Sequence, residues 1–369
     1  MVELATEVRW QERRFSLPME RILLSERLGY DALFTAEGFG SECLVPLGYV
    51  AGHTNHLKVG TRIAEVTGRV PSMTAMAFQT LNHLTGGNRV IAGLGSASPM
   101  ASEALQGRPW GNPVHRMRDF VAIMRQALAG EALDHQGPEL SAPYRGPGAL
   151  NLDATALGLD AISDVPIMIA AAGPQMTSLA AEIGDGWMPP LFAPGMMPIF
   201  APLLEAGFAR APGDKRRSDF KIWCQVDVNV DDDVRAAMRP FKEYVITWAV
   251  MQRPFIEARG YTEMAARLIE LIEAGGGPGA EARVQAGGRI LEGRLWDEAL
   301  DAIPDEYIDE GWLVGPVDRI KKNVEPWLDC GLTGLVIRYG PQMSHEPVVE
   351  NLAVFKAIAE AAGKEPRAT

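Results

Sequence analysis

The sequence predicts an eight-stranded β/α barrel, a TIM barrel, with inserted loops and a helical insertion before the last strand. Short apolar runs alternate with amphipathic stretches through the first half of the chain, the pattern of repeated strand–helix units. A further strand–helix pair returns at the C-terminal end, where a barrel needs its closing unit. The chain has 369 residues, of which 47% are hydrophobic and 22% charged, enough to bury a large core without disulfides or structural metal. One domain over 1–369 is expected; two domains of different fold are the alternative.

In order, residues 2–9 form a first strand weakened by Glu3, Glu7 and Arg9. Ser16 precedes a helical stretch through Leu28, with Pro18 near the first turn, where its missing N–H is harmless, and Gly29 as its stop. Residues 31–36 (DALFTA) are a buried strand, 43–55 a helix, 57–63 (LKVGTRI) the third strand, and 72–84 the third helix, ended by Gly86 and Gly87. Residues 89–94 (RVIAGL) are the fourth strand and 114–129 a helix stopped by Gly130. Residues 131–164, rich in Gly, Pro and Ala and without a period, read as an inserted loop. Residues 166–171 (PIMIAA) are the fifth strand, 174–183 a helix, 187–191 a short sixth strand and 196–210 a helix. Lys221–Val230 alternates and reads as the seventh strand; 332–338 (LTGLVIR) is the eighth, closed by a helix at 346–361. Between them, 231–331 is a long, mainly helical insertion broken at 274–282 (AGGGPGAEA). Such length inside a domain marks a functional segment or a subdomain.

The net charge of -12 argues against nucleic acid, whose phosphates need clustered Lys and Arg. Cys43, Cys224 and Cys330 form no CxxC pair, so neither a disulfide framework nor a thiolate zinc site is expected and a reducing cytoplasm fits. The charged stretch 1–15 lacks the apolar core of a signal peptide. No apolar run reaches the roughly 18 to 20 residues of a membrane span. His53 and His56 lack a third ligand nearby and read as caps of a helix end, so no metal is expected.

Several residues are candidates for chemistry by position. Glu37 follows an apolar strand, which places a carboxylate at the barrel mouth, where such barrels keep their sites. The bland reading is a cap for the next helix or a partner for Arg62. Gly93-Leu94-Gly95-Ser96-Ala97-Ser98 ends the fourth strand with small residues and two hydroxyls, allowing close approach of a ligand or simply making a tight turn. Ala171-Ala172-Gly173-Pro174 ends the fifth strand and opens a helix. Free N–H groups there suit a phosphate, with Gln175 adding an amide; close packing is the alternative. His115 opens the fourth helix and lines the substrate pocket or holds the helix end; Trp110 is the best pocket wall.

Five segments in order resemble the luciferase-like monooxygenase superfamily: 25–39 (SERLGYDALFTAEGF), 56–66 (HLKVGTRIAEV), 80–99 (TLNHLTGGNRVIAGLGSASP), 164–190 (DVPIMIAAAGPQMTSLAAEIGDGWMPP) and 314–338 (VGPVDRIKKNVEPWLDCGLTGLVIR). The run AAAGPQM is most similar to the branch that uses the deazaflavin coenzyme F420, with flavin mononucleotide (FMN) as the runner-up. The resemblance implies an oxidoreductase that passes a hydride between bound deazaflavin and a small organic substrate. It implies a non-prolyl cis peptide at Arg62–Ile63 behind the cofactor ring, with Glu65 near the ring edge. Gly95, Ser96, Ala97 and Ser98 would lie against the cofactor, and Ala171, Ala172, Gly173, Pro174 and Gln175 against its phosphate-bearing tail. Glu37 or His115 would manage the proton. Relatives often carry His after the acid where Gly38 stands here, which argues against flavin-peroxide chemistry. Pro189-Pro190 and the negative net charge oppose a deazaflavin tail, and Arg62 or cations of 231–331 are expected to compensate. Exposed barrel helices commonly pair in this superfamily, which implies a homodimer. A non-catalytic cofactor-binding barrel and a cofactor-free lyase or hydrolase are competing classes, since fold does not fix function.

Overall fold

A computed structural model describes residues 2–11, 13–213, 215–276, 289–339 and 353–367. Eight parallel strands follow from the apolar runs: β1 (Glu3–Val8), β2 (Ala32–Thr35), β3 (Lys58–Thr61), β4 (Val90–Gly95), β5 (Ile167–Ala170), β6 (Gly186–Met188), β7 (Lys221–Val230) and β8 (Gly334–Tyr339). Each pairs with the next; β7 pairs with β8 and β8 with β1, so the sheet closes on itself and has no free edge. After Thr61 the third strand breaks, then resumes as Ala64–Glu65 beside the end of β4.

Alternation fixes which residues face the barrel axis. Ala5, Ala32, Phe34, Ile91, Met168, Met188, Trp223 and Val336 fill its lower interior. The residues between them on each strand, such as Leu4, Leu33, Val59 and Cys224, pack outward against the helices. Helices Met19–Arg27, Leu44–Ala51, Pro71–Leu84, Pro113–Leu128, Pro174–Ile183, Met197–Phe208 and Ala353–Ala361 form the outer ring. The first starts later than its periodicity suggests because Pro18 occupies the N-cap rather than the first turn. The closing helix is described from Ala353 onward; the expected portion at 346–352 lies outside the described residues, as does most of the break at 274–282.

Two regions differ from expectation. Within 131–164 lies an antiparallel pair, His135–Gln136 with Ser141–Ala142. A strand two residues long leaves no period in a sequence. It is held instead by Asp119, whose carboxylate accepts from the N–H groups of Glu139 (2.8 Å) and Leu140 (3.0 Å) and meets His135 Nε2 at 3.0 Å. The insertion also contributes a strand, Leu313–Gly315, beside the end of β7. Its helices, Val234–Ala258, Thr262–Gly276, Gly293–Asp301 and Asp305–Gly311, bury a core of their own around Phe241, Leu268, Trp296 and Trp312. Among the described residues no helix is long and apolar enough to cross a membrane.

Candidate active site at the carboxyl ends of the strands

The last inward-facing positions of the strands change from apolar to charged. Glu7 of β1, Arg62 after β3, Gln225 and Asp227 of β7, and Arg338 of β8 lie above the apolar layer. Arg62 Nη1 donates to Glu7 at 2.9 Å and to Gln225 in a very short bond; the two ion-pair side chains are 7% and 1% exposed. Arg338 binds Asp227 with both arms, Nη2 at 2.8 Å from Oδ2, and stands 3.7 Å from Glu7. Burial works against the Arg338 charge, yet Asp227 outweighs it and holds the guanidinium charged. Arg62 therefore points into the barrel, where its Nη1 is engaged by Glu7 and Gln225.

On the opposite flank, Glu37 is saturated. Its carboxylate accepts from Arg69 Nε at 2.9 Å and from Nη2, from the Glu65 N–H, and from the Cys43 thiol at 3.2 Å. The expected alternatives for Glu37 are corrected by geometry: its partner is Arg69, not Arg62, and the helix Leu44–Ala51 is capped by Glu42, which accepts from the N–H of Leu44 (2.7 Å) and Val45 (2.8 Å). Burial, then the Glu37 charge, pushes the Cys43 thiol far up, so it stays a donor. Glu37, Glu42 and Cys43 could together ligate a metal, but Arg69 puts its guanidinium among these carboxylates and supplies the positive charge. Glu65 accepts from Gln106 Nε2, and burial, then Glu37, raises its carboxyl above the ordinary range. Among the described residues the buried Gln106 Oε1 has no partner.

The peptide bond Arg62–Ile63 is cis. Past it, Ile63 lies against β4 because Gly95 has no side chain: a Cβ there would sit 2.7 Å from Ile63 Cδ1. Ile63, Ala170 and Met188 form an apolar floor. Ser96 and Ser98 shape the loop beyond, the Ser96 carbonyl accepting from Thr67 at 3.1 Å and Ser98 Oγ from the Ala101 N–H at 3.1 Å. Ala97 between them takes φ 62°. Ala171 is buried, its carbonyl accepting the Trp187 indole N–H at 2.8 Å. Ala172 is half-buried, and Gly173, Pro174 and Gln175 are exposed at the start of helix Pro174–Ile183. A Cβ on Gly173 would meet nothing within 4 Å, so open space lies over that helix N-terminus, where first-turn N–H groups lack intrahelical partners.

His115 is exposed in the first turn of Pro113–Leu128, its N–H bound 3.1 Å from the Asn112 cap. His53 Nδ1 lies 2.8 Å from the Tyr49 carbonyl, a helix-end contact. At Gly38, a Cβ would fall 2.9 Å from the Trp10 indole nitrogen, so the missing side chain is replaced in space by a tryptophan. Sequence reasoning missed Arg69, Gln106, Gln225, Asp227 and Arg338. The polar residues on the inward register of β1 and β7 were the available signal.

The parallel barrel and its carboxyl-end site define a β/α-barrel enzyme architecture. The luciferase-like monooxygenase family profile matches residues 10–334, and the chain belongs to that family. It is 30% identical over 332 residues, 87% of this chain and 90% of the relative, to a putative coenzyme F420-dependent oxidoreductase of Mycobacterium tuberculosis. It is 26% identical, over 85% of this chain and 87% of the relative, to a 5,10-methylenetetrahydromethanopterin reductase of Archaeoglobus fulgidus. The solved structure of the coenzyme F420 dependent tetrahydromethanopterin reductase from Methanopyrus kandleri superposes with a TM-score of 0.72 at 19% identity, covering 98% of both chains.

Proposed function

We propose that this chain is a coenzyme F420-dependent oxidoreductase that passes a hydride between the deazaflavin and a small organic substrate. The observation that carries the reading is the platform of small residues at the ends of β4 and β5. The floor of Ile63, Ala170 and Met188 suits a flat ring, and Gly95 through Ser98 leave its edge free of bulk. The open space at Gly173 lies over a helix N-terminus, whose partial positive charge favours a phosphate. Ala171, Ala172, Pro174 and Gln175 complete that cradle. The names of the Mycobacterium tuberculosis and Methanopyrus kandleri relatives support the same cofactor. When bound, a deazaflavin supplies two-electron hydride chemistry, because carbon stands where a flavin has its reactive nitrogen.

The protein's own groups orient and exclude. Glu37 accepts the Glu65 N–H and so fixes the segment after Ile63. Its oxygens are occupied by Arg69, which suits a positioning role better than proton exchange. Glu65, its carboxyl raised by burial and by Glu37, stands nearest the ring edge. His115, exposed at the lip, keeps its imidazole free to take or give the substrate proton.

The free state of Cys43, Cys224 and Cys330 supports a cytoplasmic setting. Val45, Tyr49, Val70, Met73 and Met76 expose apolar surface on the helices after β2 and β3, which supports a homodimer through that face. Sedimentation of Met73→Asp is expected to give monomer where the unaltered protein gives dimer. The function itself is tested by paired fluorescence titration of apo protein at fixed salt. Tighter binding of F420 than of FMN is expected; equal or tighter FMN binding overturns the deazaflavin assignment.

A further inference from the structure

A polar side chain stands over the apolar interior of the barrel, held by an arginine from the far wall. On β7, Trp223 points inward and packs edge-on against Phe34 of β2, with ring centroids 5.2 Å apart. Two residues on, alternation turns Gln225 inward as well, and two further it does the same for Asp227, which meets Arg338 of β8. Arg62 reaches Gln225 from the end of β3. In strand order β3 and β7 are four apart in a closed ring of eight. The bond from Arg62 Nη1 to Gln225 Oε1 therefore crosses the barrel axis and draws the amide toward the centre, above the apolar layer.

The same bond decides which way the amide faces. A guanidinium only donates, so it takes the oxygen of Gln225 and turns the nitrogen away. Arg62 Nη1 is also anchored on Glu7 at 2.9 Å, in a nearly sealed ion pair, which keeps the guanidinium in place. Among the described residues nothing bonds Gln225 Nε2, and it is not one of the partnerless side-chain atoms sealed from solvent. Gln225 is half-buried on an inward register, so its open part faces the mouth. Ile63, next in sequence to Arg62, packs on the same inward cluster as Trp223, which sets the amide beside the apolar floor. The charges around it cancel, Glu7 and Asp227 against Arg62 and Arg338, and this suits a neutral acceptor rather than an ion. A cation on its oxygen polarises the amide and strengthens its N–H groups as donors.

We propose that Gln225 donates to a ring-edge carbonyl of the cofactor and so selects for an acceptor at that point. This rests on the oxidoreductase reading for the identity of the ligand, and on the residues alone for the directed donor. Deazaflavin and flavin rings share a pyrimidine edge that carries two carbonyls. Gln225 recognises the part of the ring they have in common and leaves the choice between them to other contacts. An apolar side chain at this position would leave the carbonyl unpaired, and a carboxylate would set acceptor against acceptor.

The test is fluorescence titration of apo protein with F420 and with FMN, together with the absorption spectrum of each bound cofactor, in the parent, Gln225→Glu and Gln225→Met. Gln225→Met is expected to weaken F420 by about 2- to 10-fold, the effect of one neutral hydrogen bond. Gln225→Glu is expected to weaken it by about 10-fold or more, because it adds the repulsion of two acceptors. The absorption band of bound F420 should differ between the parent and Gln225→Met, since a hydrogen bond to a ring carbonyl shifts it. A merely structural Gln225 gives the opposite order. Gln225→Glu offers Arg62 a better acceptor, so it would keep F420 affinity while Gln225→Met lost it along with melting temperature. That order, or one band in all three proteins, overturns the proposal. If the parent binds FMN and not F420, the deazaflavin assignment fails and the same variants and readouts decide Gln225 on FMN. Binding of neither cofactor overturns both.

Discussion

The two flanks of the barrel mouth carry opposite charge and are exposed to different degrees. Beside β2 and β3, Glu37, Glu42 and Glu65 surround one guanidinium, Arg69, and the ion-pair side chains keep 12% to 43% of their surface in contact with solvent. Beside β1, β7 and β8, Arg62 and Arg338 pair with Glu7 and Asp227, Arg9 follows at the end of β1, and the Arg62–Glu7 pair is nearly sealed. Water can compensate a lost partner on the first flank. It cannot on the second. A charge removed from each flank should therefore weigh differently on stability.

The largest effect is expected at the sealed flank. Arg338→Met leaves Asp227 with no guanidinium and Glu7 with only Arg62. Breaking a buried pair by removing one partner costs about 3–5 kcal/mol, to be read as a lowered denaturant midpoint with unchanged slope. A loss under 1 kcal/mol would mean that water reaches this layer.

Glu37→Gln on the other flank is expected to cost about 2 kcal/mol, within the range for hydrogen bonds to charged groups, because Arg69 keeps Glu42. F420 affinity should fall with it as the Glu65 N–H loses its strongest acceptor. A drop as large as that of Arg338→Met would remove the distinction between the flanks.

The smallest effect, and the most informative in sign, is that of Glu65→Gln. Its carboxyl titrates above the ordinary range, so the stability it contributes is full below the unfolded-state value and is lost as pH rises through the folded one. Gln cannot ionise, so the melting temperature of Glu65→Gln relative to the parent should climb between pH 4 and pH 8. A difference that falls over that interval would contradict the raised carboxyl.

The barrel was legible because strand periodicity and glycine stops are local. All eight strands lie where the apolar runs placed them, to within a few residues. The short strands at His135–Gln136, Ser141–Ala142 and Leu313–Gly315 were not, since two or three residues carry no period and depend on Asp119 or on the edge of β7. At the site, Gly95, Ala172 and Gly173 announce themselves by size. The ion pairs do not: Glu37 meets Arg69 across 32 residues and Asp227 meets Arg338 across 111. The charges of Glu7 and Arg9, which made β1 look weak as a strand, are the ones its inward face presents at the mouth.

Gly173→Asp tests the placement of the cofactor most directly. The position is open, is an N-cap, and has φ -77° and ψ 155°, a conformation Asp accepts. Aspartate caps a helix at least as well as glycine, so the melting temperature should hold or rise by a degree or two. The same carboxylate would stand where a phosphate-bearing tail is proposed to sit. The account predicts F420 affinity lowered at least 10-fold, about 1.4 kcal/mol, in a protein no less stable than its parent. Unchanged F420 affinity in Gly173→Asp would contradict it and move the cofactor away from the ends of β4 and β5.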